Sequence, residues 1–122
     1  VNLTKASFVV IKQNWLLGTG LGNYVKHMEG FWPTTSRSLP LLQPVHNVFL
    51  LLFSELGIFG FLSYLYLFIA IFRKNYKKIT LFGLLIFFSL FIIGMFDHYL
   101  VSLPQGQMIF FFLIFLTIAE SD

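Results

Sequence analysis

Three long apolar runs occupy the chain from Val45 onward, and they constrain its fold more than any other feature. The runs extend from about Val45 to Phe72, from Ile79 to Phe96, and from near Pro104 to Ala119, with Ser102 as a candidate cap for the third. At a rise of about 1.5 Å per residue, the first run can cross a hydrocarbon core of about 30 Å as a tilted helix. The pattern predicts an all-α membrane protein, a piece of a polytopic helical bundle with about three transmembrane helices.

Composition excludes the common soluble classes. Charged residues make up 11% of the 122 residues, whereas globular chains carry roughly 25%. A hydrophobic content of 57% excludes a disordered chain, and the absence of cysteine excludes a disulfide-rich secreted module. Because the chain begins with Val1, we expect it to be part of a longer polypeptide.

Basic residues are concentrated in one short segment, which predicts the orientation in the membrane. Four of the eight Lys and Arg residues lie within residues 73–78, between two apolar runs. That position is typical of a cytoplasmic loop, and it argues against binding of nucleic acid. The segment 97–106 and the N-terminal region then share the extracytoplasmic face. We expect residues 1–44 to form an interfacial helix and an extracytoplasmic loop, and residues 45–122 to form the transmembrane helices.

The N-terminal region combines a short helix with a glycine-rich stretch. Apolar residues recur at helical spacing over residues 3–13, which predicts a helix near the membrane interface. Gly18, Gly20 and Gly22 follow it. They either form a flexible turn or present N–H groups to a phosphate, and the sequence leaves both interpretations open.

His46 and Asn47 begin the first apolar run. A histidine in water is mostly neutral at pH 7 and can accept a proton, and general-base assistance contributes on the order of 10²–10⁴ in rate. The alternative is an interfacial histidine bonded to backbone or to lipid. Glu55 lies about 13.5 Å further along a straight helix, where a carboxyl group needs a partner. Its neighbours Gly57 and Gly60 favour a structural hydrogen bond at a tight helix contact over a proton relay.

The outer loops contain further candidates. Arg37 can pair with a phosphate through two parallel hydrogen bonds, although a single surface cation is more often simply solvated. The segment 97–107 either holds sugar hydroxyls or forms an ordinary polar turn, and its candidate ligands are Asp97, His98 and Gln105. No metal site is predicted, because His27, His46 and His98 are far apart in the sequence.

The order of these motifs resembles the C-terminal part of the O-antigen ligase/polymerase family of polytopic membrane glycosyltransferases. The resemblance rests on the stretch from Asn14 to Tyr24, on the His46-Asn47 pair, and on Leu50, Glu55, Gly57 and Gly60 at the family's spacing. The segments 94–99 and 103–107 are also similar to the ends of many family members. Asn14-Trp15 departs from the Asn-Pro that usually precedes the glycines.

The resemblance implies an enzyme of lipopolysaccharide or other polysaccharide biosynthesis in the cytoplasmic membrane. Such enzymes transfer a glycan from an undecaprenyl-pyrophosphate carrier to an acceptor hydroxyl on the outer face, with inversion at the transferred sugar. His46 would be the catalytic base. Predicted substrate contacts are Arg37, Asn47, Gly20, Gly22, Asp97, His98 and Gln105, and predicted structural residues are Glu55, Gly57 and Gly60.

The expected partners are a lipid-linked oligosaccharide donor, a glycan or lipid acceptor, and membrane lipids. Neither a metal nor a cofactor is expected, since guanidinium groups would stabilise the leaving pyrophosphate. Two alternatives remain open at this point. One is a polymerase that joins carrier-linked repeats, and the other is a transporter or scaffold fragment in which Glu55 couples ions.

Overall fold

The computed structural model describes residues 3–29, 43–75 and 77–119, and within these ranges it is all helical, with no strand. The helices are α1 (Leu3–Asn14), α2 (Tyr24–Glu29), α3 (Val48–Asn75), α4 (Leu81–Phe96), α5 (Tyr99–Ser102) and α6 (Pro104–Ala119). The predicted all-α class is confirmed, and α1, α3, α4 and α6 correspond to the expected interfacial helix and three apolar runs.

Helix α3 is interrupted at Gly57, so the distance of about 13.5 Å between His46 and Glu55, which assumes a straight helix, does not apply here. Gly57 has φ 65° and ψ −162°, a combination that is essentially restricted to glycine. The interruption separates α3 into residues 48–56 and residues 58–75.

Backbone groups released at this break are satisfied by the glycine loop, which we define as residues 15–23. The N–H groups of Thr19 and Gly20 donate to the carbonyl oxygens of residues 54 and 55, at 3.0 and 2.8 Å. In return, the N–H of Ile58 donates to the carbonyl oxygen of Trp15 at 2.9 Å. A break inside an apolar helix is tolerated because these partners replace the missing helical bonds.

Two hydrophobic cores lie on either side of the break. The first joins α1 and α2 to the start of α3, and its buried members are Ala6, Val10, Tyr24, Met28, Val45 and Leu51. The second joins the later part of α3 to α4, α5 and α6 around Phe68, Ile71, Phe87, Leu90, Leu100, Phe110 and Ile114. The two parts of α3 therefore serve different packing layers.

Helix α3 also has the composition of a membrane span. Its segment Val48–Lys74 has a mean hydropathy of 2.0, and among the described residues it is the helix that is long and apolar enough to cross a membrane. Helices α4 and α6 are apolar but shorter, with 16 residues each.

The start of α6 differs from the expectation in one detail. Ser102 is the last residue of α5 and does not cap α6, because its hydroxyl bonds to His98. The first bond of α6 runs from the N–H of Gln107 to the carbonyl oxygen of Leu103, at 2.9 Å.

Candidate functional site

Asn47 fixes the position of His46 by joining the start of α3 to the end of α4. Its Oδ1 accepts a hydrogen bond from the N–H of Leu50 at 2.9 Å, the arrangement of a helix N-cap. Its Nδ2 donates to the carbonyl oxygen of Met95, also at 2.9 Å. Since both ends of the amide bind protein groups, Asn47 acts here in positioning, and its substrate contact stays a prediction.

His46 precedes this cap and meets the turn that follows α4. Its Nδ1 lies 3.9 Å from Oδ1 of Asp97, and both side chains are about half exposed, at 51% and 46%. The His46 ring centroid lies 5.3 Å from that of His98. A separation of 3.9 Å is too long for a hydrogen bond between these two atoms.

Asp97 is held in place by the backbone that follows it. Its Oδ1 accepts hydrogen bonds from the N–H groups of His98 and Tyr99, at 2.7 and 3.2 Å. An Asp at the head of a turn commonly bonds in this way. The carboxylate facing His46 is therefore fixed rather than free to rotate away.

His98 is the second imidazole of the cluster. Its Nδ1 lies 2.6 Å from the hydroxyl of Ser102, which also donates to the His98 carbonyl oxygen at 3.1 Å. Because that hydroxyl has one hydrogen, we assign the ring proton to Nδ1, which leaves Nε2 as an acceptor. Partial burial lowers the pKa of His98 below its ordinary value of 6.5, Asp97 opposes the shift, and His46 adds to it. His98 is thus a neutral acceptor near pH 7.

These side chains also bear on the expected absence of a metal. His46, Asp97 and His98 each offer a ligand atom, and the three atoms lie within 4.8 Å of one another. His46 and His98 are therefore close in space although they are far apart in the sequence. Asp97 Oδ1 and His98 Nδ1 already take part in hydrogen bonds to protein groups.

Two cavities flank this end of α3. One, of about 250 Å³, lies between the glycine loop, α3, α5 and α6, and its polar lining includes Glu55, Ser102 and Gln107. The other, of about 470 Å³, is an apolar groove between α3 and α4 that begins at Asn47 and Met95. Asn47, the residue after His46, lines the groove. Ser102, which bonds His98, lines the smaller cavity.

Glu55 is buried, at 7% exposure, and its Oε1 accepts a hydrogen bond from the N–H of Tyr24 at 3.3 Å. That N–H belongs to the first turn of α2, so the carboxylate fixes α2 against α3. The Tyr24 hydroxyl lies 2.6 Å from Oγ of Ser7, which extends the contact to α1. Glu55 therefore makes the kind of structural hydrogen bond that its sequence context favours.

The remaining predicted residues have separate locations. Gly20 donates its N–H to the Glu55 carbonyl oxygen, so that group is not directed at an anion. Gly22 lines the cavity of 250 Å³, whereas Gln105 is exposed in the first turn of α6. Gly60 lies within the later part of α3. Arg37 lies outside the described residues.

Two neighbours of this site, Ser102 and Gln107, lie in the predicted polar segment 97–107 but were not among its named candidate ligands. Ser102 is four residues after His98, a spacing that brings side chains together on one helical turn, so this signal was present in the sequence. Gln107 Nε2 donates to the carbonyl oxygen of Val101 at 2.6 Å and lines the cavity. Its position depends on the packing of α5 against α6, which no local pattern reveals.

The chain matches no known protein-family model, no curated protein and no solved structure.

Proposed function

We propose that this chain forms part of a membrane glycosyltransferase in which His46 is the general base. The enzyme would move a glycan from an undecaprenyl-pyrophosphate carrier to an acceptor hydroxyl on the outer face of the cytoplasmic membrane. The observation that carries the proposal is the position of His46 beside Asp97, next in sequence to Asn47, which lines the apolar groove. On the other side of the cluster, His98 bonds Ser102, which lines the cavity of about 250 Å³.

The chemistry requires a proton acceptor and a place for each substrate. His46 takes the proton of the acceptor hydroxyl, and the acceptor oxygen attacks the anomeric carbon of the donor sugar. The bond from that carbon to the pyrophosphate oxygen breaks, and the carrier leaves with its pyrophosphate. Asp97, 3.9 Å away, stabilises the imidazolium that forms.

The two cavities suit the two substrates. The apolar groove of about 470 Å³ offers phenylalanine and leucine side chains to an isoprenoid tail. The cavity of about 250 Å³, roughly the volume of eight water molecules, has room for a single sugar ring. Glu55, Ser102 and Gln107 offer that ring hydrogen-bonding groups.

We further propose that α3, α4 and α6 all cross the membrane. At 1.5 Å per residue α4 and α6 each extend over about 24 Å, a shortfall that local thinning of the bilayer accommodates. Their surfaces support this assignment, because large apolar side chains are exposed on both helices. Examples are Leu85, Phe88 and Ile92 on α4, and Phe111, Phe112 and Phe115 on α6.

The structure offers less support to a transporter in which Glu55 couples ions. Such a residue must exchange its partner during transport, whereas Glu55 is buried and holds the first turn of α2. A polymerase remains compatible with the same base, since it differs from a ligase only in the acceptor. Supplying a second carrier-linked repeat or a different glycan acceptor in the same assay separates these two activities.

The decisive experiment compares His46→Ala and His46→Gln with His27→Gln in the full chain. His27 is an exposed histidine on α2, so its replacement controls for the loss of an imidazole. Glycan transfer is measured in proteoliposomes with purified lipid-pyrophosphate donor, and folding is checked by thermal melting. We expect both His46 variants to lose on the order of 10²–10⁴ in rate, with unchanged melting. Full activity in a folded His46→Ala protein would refute the general-base assignment.

A further inference from the structure

A third cavity, an open cleft, lies at the other end of the helices, far along α3 from His46. It has a volume of about 330 Å³ and is open to the surface between α3 and α4. Phe68, Ile69 and Phe72 of α3 line it, together with three phenylalanines of α4 between residues 87 and 91. Aromatic rings of α3 and α4 are in contact here; the ring centroids of Phe68 and Phe87, for example, are 5.4 Å apart.

One charged residue, Arg73, completes the lining of this cleft. Lys74 follows it on α3, and Lys77 and Lys78 come shortly after. The sequence contains no acidic residue between Glu55 and Asp97. Within the described part of the chain, no carboxylate lies within ion-pair distance of Arg73 or Lys74. The cleft is thus entirely apolar along its length and positively charged at one end.

We propose that this cleft binds an anionic phospholipid of the bilayer, with an acyl chain between α3 and α4 and the phosphate on Arg73. A guanidinium binds phosphate through two parallel hydrogen bonds, and basic pockets between membrane helices bind anionic headgroups. The proposal rests on the membrane placement given above but not on glycan transfer. The site lies at the end opposite His46, on the face assigned to the cytoplasm.

The test uses the full chain in neutral detergent, titrated with phosphatidylglycerol or with phosphatidylcholine of the same acyl chains. Binding is followed by the shift in melting temperature, and bound lipid is counted by native mass spectrometry. Phosphatidylglycerol is expected to bind more tightly. Arg73→Gln is expected to weaken its binding roughly fivefold, the contribution of one basic residue near a headgroup. Lys26→Gln, which removes an exposed cation from α2, is the matched control and is expected to have no effect.

A second pair of variants tests the acyl chain separately from the charge. Ile69 lines the cleft, whereas Ile92 on α4 does not, and both are 53% exposed. Ile69→Trp should weaken binding roughly tenfold by displacing about two methylene groups, while Ile92→Trp should not. Soluble glycerol phosphate, which has no acyl chain, should not compete.

Three results would each overturn the lipid proposal: equal binding of the two lipids, equal effects of Arg73→Gln and Lys26→Gln, or equal effects of the two tryptophan variants. The readout requires no enzymatic activity. His46→Ala is therefore expected to bind phosphatidylglycerol like the unmodified chain, and a failure of lipid binding with intact transfer would leave the proposed function standing.

Discussion

Replacement of Gly57 by alanine tests the central feature of this fold, the break in α3. In a continuous helix, a Gly→Ala change in the interior stabilises by about 1 kcal/mol. The structure leads to the opposite sign. Gly57 has φ 65° and ψ −162°, which costs any other residue about 1–3 kcal/mol. A Cβ at this position would also overlap the carbonyl group of Leu16 in the glycine loop.

Relief of that overlap requires the glycine loop to move away from α3. Three backbone hydrogen bonds between them are then at risk, those from Thr19, Gly20 and Ile58. At about 0.5–1.5 kcal/mol each, their loss adds about 1.5–4.5 kcal/mol to the conformational cost. We expect Gly57→Ala to lower the free energy of unfolding by roughly 3–7 kcal/mol, a large share of the 5–15 kcal/mol typical of a folded protein.

The assay is thermal melting of the full chain in detergent, with hydrogen exchange followed at the Thr19 and Gly20 amides. Gly18→Ala should behave similarly, because its Cβ would overlap the Glu55 carbonyl group from the other side. Gly22→Ala is the matched control, since Gly22 also has positive φ, 73°, but faces open space. A Gly57→Ala protein that melts at or above the temperature of Gly22→Ala would refute the interrupted helix.

Three further expectations concern individual side chains. Asn47→Ala should lower the free energy of unfolding by about 1–3 kcal/mol, because it removes the cap and leaves the Met95 carbonyl without its partner. Asn47→Asp should keep the cap alone and melt between the unmodified chain and Asn47→Ala; equal melting temperatures of the two variants would contradict this. Tyr24→Phe should destabilise by about 1–2 kcal/mol through its lost hydroxyl bonds, whereas Tyr64→Phe should be neutral or stabilising, because its buried hydroxyl has no partner among the described residues. The pKa of His98 is lowered on folding, so the unfolded chain binds more protons than the folded chain. Stability should therefore fall as the pH drops from above 6.5 through the lowered pKa. Melting curves of His98→Gln should lack this part of the pH dependence.

Helix positions were largely predictable because their signals are local. The first helix was predicted over residues 3–13 and extends over Leu3–Asn14, and the last matches Pro104–Ala119 at both ends. Apolar spacing and a proline at the first helical position specify both within a few turns of chain. The break at Gly57 has no such signal, since glycine is tolerated within helices. Its hydrogen-bonding partners lie about 40 residues upstream in the glycine loop.

The candidate site was predictable only as a meeting of segments. The basic segment at residues 73–78 predicts that His46 and residues 97–106 share the outer face of the membrane. The structure places His46 next to Asp97 and His98. Which atoms meet was not predictable, because that depends on the bond between Asn47 and the Met95 carbonyl. The glycine N–H groups were a candidate for phosphate binding, but the N–H of Gly20 donates instead to the carbonyl oxygen of Glu55, just before the break in α3.

The order His46-Asn47 explains how an exposed histidine is held at the end of an apolar helix. Asn47 occupies the cap of α3, so the preceding histidine lies outside the helix. The same amide binds the end of α4, and Asp97 comes two residues after the carbonyl that it uses. The Asn47 side chain therefore links the segment that carries His46 to the segment that carries Asp97. Under the proposed function, Asn47→Asp, which keeps the cap but not the bond to α4, should impair transfer more than it impairs folding.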